Sequence, residues 1–206
     1  MKQKQAPIAV AITGASGSAY ALRLLESLLA SGRDIYLMIS QAGQIVLKME
    51  SDLDLPGQPA EMEKRLTQRF QARPGQLQVF GRQQWMAPVA SGSNPPSAMV
   101  VCPCTTGTLA AIACGASNDL IERAADVVLK ERRKLILVVR ETPFSAIHLE
   151  NMLKLSRMGA IIMPANPGFY HNPATLDEIV DFMVARILDQ LDIEHSLMPR
   201  WGATTT

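Results

Sequence analysis

Two groups of residues in this sequence combine types and positions that could carry chemistry. The first is the turn at residues 13–17 (TGASG), which follows a short apolar run and precedes a helical pattern. Free amides and the positive dipole end at a helix start bind anions, and Gly14 and Gly17 let the backbone approach a phosphate closely. The second is the pair Arg140 and Glu141, which directly follows the apolar run at residues 135–139. Its arginine could bind a phosphate and its carboxylate could transfer a proton.

The turn also narrows the kind of phosphate. It lacks the second glycine of the G-x-G-x-x-G dinucleotide fingerprint, and the second strand ends in Ser40 rather than in a ribose-binding acid. No segment matches the G-x-x-x-x-G-K-[ST] loop that holds ATP. A mononucleotide such as FMN therefore fits better than NAD or ATP. Residues 103–108 (PCTTGT) offer further hydroxyls and amides to hold it.

Other charged residues are ambiguous when each is taken alone. Arg140 and Glu141 could instead be an ion pair that caps the next helix, and Lys130 could be a favourable charge at a helix end. Glu50 and Tyr170 indicate no function by themselves. The three histidines lie far apart, and without Ser/His/Asp or Cys/His spacing nucleophilic hydrolysis has no support.

Short apolar runs alternate with longer helical patterns, which predicts an α/β protein with a Rossmann-like, doubly wound parallel sheet. The runs expected to form strands are residues 7–12, 35–39, 98–102, 135–139 and 160–163. The patterns expected to form helices are residues 19–30, 41–49, 60–70, 106–113, 120–130, 145–157 and 176–191. We expect one domain at residues 7–195, a disordered or extended segment at 1–6 and a tail at 196–206.

Composition limits the possible partners and compartment. A formal net charge of +1 gives no reason to expect nucleic acid or an anionic membrane surface. No apolar run reaches the ~18–20 residues needed to span a bilayer, and the polar N-terminus shows no export signal. Three unevenly spaced cysteines, Cys102, Cys104 and Cys114, indicate a reducing compartment and no metal site. The expected location is the cytoplasm.

The sequence resembles the UbiX flavin prenyltransferases over residues 7–202. The resemblance is most specific at residues 124–158 (AADVVLKERRKLILVVRETPFSAIHLENMLKLSRM), where LKERR precedes RETP. It also includes residues 13–17, 90–93 (ASGS), 103–105 (PCT), 167–171 (PGFYH) and 199–201 (PRW). It implies a single-domain, flavodoxin-like type of flavoprotein fold.

The resemblance implies a reaction that composition could not reveal. Members transfer a dimethylallyl group from dimethylallyl monophosphate to N5 and C6 of reduced FMN, without a metal. The prenylated FMN serves UbiD-type decarboxylases, including the one in ubiquinone biosynthesis. Members assemble as homo-oligomers, dodecamers with sites shared between subunits.

The resemblance also implies roles for individual residues. Glu141 would be the acid/base, and Glu50 with Ser16 would relay the proton at N5 of the flavin. Lys130 would be catalytic as well, by stabilising the departing phosphate. FMN would contact Gly14, Ala15, Ser16, Ser40, Thr105, Thr106, Gly107, Thr108 and Arg140. Dimethylallyl phosphate would contact Tyr170, Arg186, Lys130, Arg123 and Arg140. Trp85, Ala90 and Trp201 would shelter the allylic group from water.

Three alternatives remain open. FMN-dependent cysteine decarboxylases share the expected fold, but they have a histidine in the first half of the chain and a Pro-Ala-Ser-Ala-Asn-Thr segment. This sequence has no histidine before His148, and residues 103–108 stand in that segment's place. A flavin carrier without chemistry would not need Glu141, Lys130, Tyr170 and Arg186. The third alternative is a relative that prenylates a modified flavin or uses a longer allylic phosphate.

Overall fold

The computed structural model describes residues 5–200 and 202, and this part of the chain forms one six-stranded parallel sheet. The strand order is β3-β2-β1-β4-β5-β6. The strands are β1 (Ile8–Ile12), β2 (Ile35–Ile39), β3 (Leu77–Phe80), β4 (Ala98–Cys104), β5 (Lys134–Val139) and β6 (Ile161–Ile162). The predicted single-domain, doubly wound parallel fold is confirmed.

Helices cover both faces of the sheet. They are α1 (Ser18–Ala30), α2 (Gln41–Glu50), α3 (Pro59–Phe70), α4 (Thr106–Ala113), α5 (Leu120–Lys130), α6 (Ala146–Arg157) and α7 (Leu176–Gln190), with a 3₁₀ turn at Pro88–Ala90. Side chains of α1, α2, α3 and α7 bury in one core, and those of α4, α5 and α6 bury in the other. In the described chain no helix is long and apolar enough to cross a membrane.

Strand β1 shows why the strands read as continuous apolar runs. All five of its residues are buried, because helices lie on both sides of it. Alternate side chains point to opposite faces of a strand. Accordingly Ile8, Val10 and Ile12 pack in one core, while Ala9 and Ala11 pack in the other.

The structure adds one strand that sequence patterning did not predict. Strand β3 has only four residues (LQVF) and lies at an edge of the sheet, where Gln78 interrupts its apolar run. Strand β6 is reduced to two residues. Residues 1–4, 201 and 203–206 lie outside the described residues, and so do the expectations for Trp201 and for those parts of the two termini.

The direction of the chain reverses between β1 and β4, and a threonine fixes the two turns there. After β1 the chain builds outward through β2 and β3, and then returns to place β4 on the other side of β1. Thr13, which is 2% exposed, donates its hydroxyl to the Pro103 carbonyl at 2.7 Å and accepts from the Thr105 amide at 2.9 Å. Ligands of doubly wound sheets bind in the crevice at this switch point.

Helix α2 packs against the end of β1 at a position that only glycine fits. A Cβ atom on Gly43 would lie 2.6 Å from the Ile12 carbonyl oxygen. The Gly43 amide also donates to the hydroxyl of Ser40, the N-cap of α2, at 2.9 Å. This contact sets how closely α2 approaches the crevice.

We therefore expect Gly43→Ala to destabilise the protein by about 1–3 kcal/mol, the usual cost of overpacking, despite the better helix propensity of alanine. The measurement is urea unfolding. The matched control is Gly57→Ala, whose added Cβ would meet no atom within 4 Å. Equal stability of the two variants would show that α2 does not depend on this close approach.

Candidate active site

Open amides line the switch-point crevice on two sides. The amides of Gly14, Ala15 and Ser16, in the turn after β1, have no acceptor among the described residues. Neither do the amides of Thr106 and Gly107 in the first turn of α4. Free donors at a helix start and in a turn of this kind attract anions.

Arg140 brings a cation to the same crevice. Its amide donates to the Cys104 carbonyl at 3.2 Å, which places it beside the start of α4. The Nε of its side chain is buried and has no hydrogen-bond partner in the described part of the chain. A buried cationic donor without an acceptor is costly, and a bound anion would satisfy it. These residues therefore fit the phosphate of FMN.

The Glu141 carboxylate is held in place next to Arg140. Thr106 donates its hydroxyl to Glu141 Oε2 at 3.3 Å, and the Thr142 amide donates to Oε1 at 3.1 Å. The alternative in which this charged pair caps the next helix is wrong, because Ser145 and His148 form a capping box at the start of α6. A half-buried carboxylate beside an anion site can exchange protons with a ligand there.

Two amides at the start of α1 are already occupied, which corrects the expectation that the amides there are free. Its N-cap residue, Gly17, has no side chain to accept from the helix. Glu50, at the end of α2, performs this role: its Oε2 accepts from the Gly17 amide at 2.9 Å and the Ser18 amide at 2.8 Å. The Ser18 hydroxyl donates to the same oxygen at 2.9 Å. The Gly17 and Ser18 amides are therefore not available to a phosphate, whereas those of residues 14–16 and of Ala19 have no described acceptor.

Ser16 and Glu50 are brought together, as expected. Burial alone would raise the pKa of the Glu50 carboxyl, but hydrogen bonds from Ser16, Gly17 and Ser18 outweigh it and lower that pKa. Glu50 is therefore ionised at neutral pH and is a hydrogen-bond acceptor for the Ser16 hydroxyl.

Arg123 lies in the first turn of α5, and Lys130 is the last residue of this helix. Arg123 donates from Nε to the Ala90 carbonyl at 3.0 Å and pairs with Asp126 at 2.7 Å. Lys130 pairs with Glu131 at the end of α5, and β5 begins three residues after that glutamate. A Cβ atom on Gly92 would lie 2.5 Å from the Lys130 Nζ, so this glycine makes room for the ammonium group.

Tyr170 and Arg186 line a different cavity of about 600 Å³ beside α7. The Tyr170 ring stands edge-on to Phe182, with ring centroids 5.7 Å apart. Arg186 pairs with Asp189 at 2.6 Å. Helix α7 ends near the start of β5, because Lys134 Nζ donates to the Gln190 carbonyl at 2.8 Å.

One chain therefore does not bring all the expected site residues together. Glu141 follows the carboxyl end of β5, whereas Lys130 and Arg186 lie towards its amino end. A six-residue strand separates its two ends by roughly 17 Å. Lys130 and Arg186 are also on helices that cover opposite faces of the sheet.

The cysteines do not form a further reactive site. Cys102 and Cys104 are free and buried in β4, and burial raises the pKa of both thiols, to about 12 for Cys104. Cys114 is free and exposed. Within residues 5–200 and 202, no group of three or more His, Cys, Asp or Glu side chains could hold a metal ion.

Sequence reasoning missed the residues that hold the others in place. Thr13 was part of the anion turn, but its bonds to Pro103 and Thr105 span about 90 residues of chain. Ser18 and Thr142, which bond to Glu50 and Glu141, were also missed. The available signal was that Ser18 and Thr142 adjoin predicted site residues in the sequence. Which group each of them bonds to depends on the folded chain.

Open amides and an unpartnered buried arginine at the switch point of a doubly wound sheet define a nucleotide-binding α/β protein. A family model described as Flavoprotein matches residues 1–188. The chain is 58% identical to the flavin prenyltransferase UbiX of Pseudomonas aeruginosa over 95% of its length and 93% of that protein. It therefore belongs to the UbiX flavin prenyltransferases, and the predicted flavin-dependent prenyltransferase family is confirmed.

Two solved structures agree with this membership. A UbiX crystal structure in complex with FMN and dimethylallyl pyrophosphate matches with a TM-score of 0.85 and 38% identity, over 97% of this chain and 99% of that one. A dodecameric FMN-dependent UbiX-like decarboxylase from Escherichia coli O157:H7 matches with a TM-score of 0.84 and 38% identity, over 96% and 100%.

We expect Glu50→Gln to lower stability at pH 7 by about 1 kcal/mol, because a charged acceptor at a helix start is stronger than an amide. The folded-state pKa of Glu50 is lowered, so its contribution is present above the unfolded-state pKa and disappears as the pH falls through the folded-state value. Urea unfolding at pH 7 and about pH 3 measures this. Glu150→Gln, at an exposed position of α6, is the control. A deficit of equal size at both pH values would contradict the capping role.

Proposed function

We propose that this chain transfers the dimethylallyl group of dimethylallyl monophosphate to reduced FMN, with bonds to N5 and C6. The observation that carries the proposal is the buried, unpartnered Nε of Arg140 beside the held carboxylate of Glu141. A group that can bind a phosphate and a group that can transfer a proton thus follow the same strand, at the crevice. Membership of the UbiX family and the relative that holds FMN with a dimethylallyl phosphate ester support it.

The crevice would hold the flavin through donors that remain available. The hydroxyl of Thr108 accepts from Thr105 at 2.9 Å, so its own proton is left for a ligand. The Ser40 hydroxyl accepts from Gly43 and likewise keeps its proton. Reduced FMN, when bound, supplies the nucleophilic N5 and C6. The proposed FMN contacts are Gly14, Ala15, Ser16, Ser40, Thr105, Thr106, Gly107, Thr108 and Arg140.

Fixed cations would stabilise the departing phosphate. Breaking the allylic carbon–oxygen bond concentrates negative charge on the phosphate, and cations already in place stabilise that charge without reorganisation. The proposed contacts are Arg123, Lys130, Arg140, Tyr170 and Arg186. Lys130 and Arg186 lie towards the opposite end of β5 from Glu141 of their own chain, so they would act on the flavin of neighbouring subunits in a homo-oligomer. The dodecameric E. coli relative supports this arrangement.

Two carboxylates would manage the protons. Glu141, held by Thr106 and Thr142, would donate to the departing phosphate and then accept a proton from the flavin. Glu50, which is kept ionised, would accept the N5 proton through the Ser16 hydroxyl. The two routes would approach the flavin from different sides of the crevice.

Further parts of the proposal depend on the resemblance and on composition. They are delivery of the prenylated FMN to a UbiD-type decarboxylase, a role in ubiquinone biosynthesis and a cytoplasmic location. A non-catalytic flavin carrier and an enzyme for a longer allylic phosphate are the alternatives that the assay below separates from it.

We expect the pure protein, incubated anaerobically with reduced FMN and dimethylallyl monophosphate, to yield a flavin heavier by one five-carbon unit. Glu141→Gln should bind FMN normally and form this product at least about 100-fold more slowly, because general acid–base catalysis contributes roughly that much. Mass spectrometry reads the product and absorbance reads the bound FMN.

Glu150→Gln is the control for charge removal and should behave as the wild type. Unmodified flavin in a wild-type sample that binds FMN would sink the prenyltransferase proposal and favour a carrier. Product only from a longer allylic phosphate would favour the third alternative. Normal turnover by Glu141→Gln would remove Glu141 from the mechanism.

Shared sites predict complementation between two defective variants. Glu141→Gln and Arg186→Ala, co-expressed with different tags and purified through both, should form mixed oligomers more active than either variant alone. Their recovered sites would combine an intact Glu141 from one chain with an intact Arg186 from another. The matched control pairs wild-type chains with the double variant. If the site lay within one chain, every site in the first mixture would be defective and no activity would return.

A further inference from the structure

Three side chains at the end of α7 form a connected chain of polar contacts. Asp189 accepts from Arg186 Nη1 through Oδ2 at 2.6 Å, and its other oxygen lies 3.1 Å from Nε2 of His195. A carboxylate only accepts, so Nε2 of His195 carries the proton in this bond. The Asp189 carboxylate thus has one oxygen bound to the arginine and the other to a residue beyond the helix.

This arrangement fixes its carboxylate more firmly than the pair between Arg23 and Glu26, which are also three residues apart on a helix. The Glu26 side chain is 56% exposed, and exposed ion pairs hold a side chain weakly. The Asp189 side chain is 28% exposed, and the His195 side chain that fixes it is 8% exposed. A buried ring is ordered by packing, so it limits the positions that Asp189, and through it Arg186, can adopt.

The chain of contacts borders a cavity. Arg186, Asp189 and His195 all line the cavity of about 600 Å³ that also contains Tyr170. One guanidinium nitrogen of Arg186 is bound to Asp189, and an arginine has further donors with which to bind a ligand. The second ring nitrogen of His195, Nδ1, is buried without a partner in the described residues.

We propose that Asp189 and His195 are positioning residues that orient the Arg186 guanidinium for the phosphate of the allylic substrate. The inference rests on the proposed function, in which Arg186 binds that phosphate. An arginine that is ordered before binding loses less conformational freedom when the phosphate arrives. Asp189 and His195 touch no reacting atom in this account, and they act through Arg186.

A carboxylate beside a phosphate site also repels the phosphate. Whether neutralising Asp189 weakens or strengthens phosphate binding therefore distinguishes orientation from simple charge repulsion. The other charged residues that line the cavity are Asp192, Glu194 and Arg200. Asp192 pairs with Lys134, and its side chain is 81% exposed. If charge alone mattered, neutralising Asp189 or Asp192 would strengthen phosphate binding in both cases. If orientation dominates, only the Asp189 variant weakens it.

The test titrates dimethylallyl monophosphate into protein loaded with oxidised FMN, in which no transfer occurs, and measures binding by calorimetry. Asp189→Asn should raise the Kd about tenfold, consistent with loss of a charge-assisted hydrogen bond. Asp192→Asn is the matched control and should change the Kd less than about twofold. In turnover with reduced FMN, Asp189→Asn should lower kcat/KM for the allylic phosphate at least tenfold, because Arg186 contacts the phosphate both before and during its departure.

His195 is tested by loss and rescue. His195→Leu should raise the Kd several-fold, and His195→Gln, which restores a side-chain N–H, should recover most of it. Unchanged or tighter binding by Asp189→Asn overturns the proposal, as does an equal effect of Asp192→Asn. Binding without prenyl transfer in the wild type would refute the proposed function but leave these Kd comparisons valid. Absence of wild-type binding would overturn both.

Discussion

The buried hydroxyl of Thr13 joins the two loops on which the crevice depends. It donates to Pro103 and accepts from Thr105, and so it uses both its hydrogen-bonding functions inside the protein. A hydroxyl that is 2% exposed is costly unless it is satisfied, so this position tolerates few arrangements of the loops. The turn after β1 and the start of α4 are therefore held in one geometry before any ligand arrives.

The N-terminal amides of the helices around these two loops donate to different side chains. Glu50 accepts from α1, Ser40 from α2 and Thr105 from α4. Each of these caps consumes only part of its helix's donors. Donors without a described acceptor remain at residues 14–16 after β1 and at Thr106 and Gly107 in α4, and the buried Nε of Arg140 has none either. These open amides, together with the unpartnered arginine that follows β5, form the candidate anion site.

Sequence patterning predicted the strands and helices that are recognisable from neighbouring residues alone. Strands β1, β2 and β5 are continuous apolar runs because helices cover both their faces, and that burial is visible in composition. Strand β3 was not predicted, because an edge strand of four residues needs little apolar surface. The capping of α1 by Glu50 was not predicted, because it joins residues 33 positions apart and no local rule selects that carboxylate over others. Resemblance supplied the reaction, which no pattern of hydrophobicity encodes.

The separation of cations from the crevice has a physical consequence under the proposed function. Arg123, Lys130, Arg140 and Arg186 around one phosphate would repel one another strongly before the substrate arrives. In the described chain three of the four are instead paired with carboxylates, namely Asp126, Glu131 and Asp189. Each chain can thus fold with its charges balanced. Under the proposed arrangement, assembly of subunits would bring the cations to a flavin phosphate and a substrate phosphate, whose charges would offset the repulsion. Substrate binding and oligomer stability would then be thermodynamically linked.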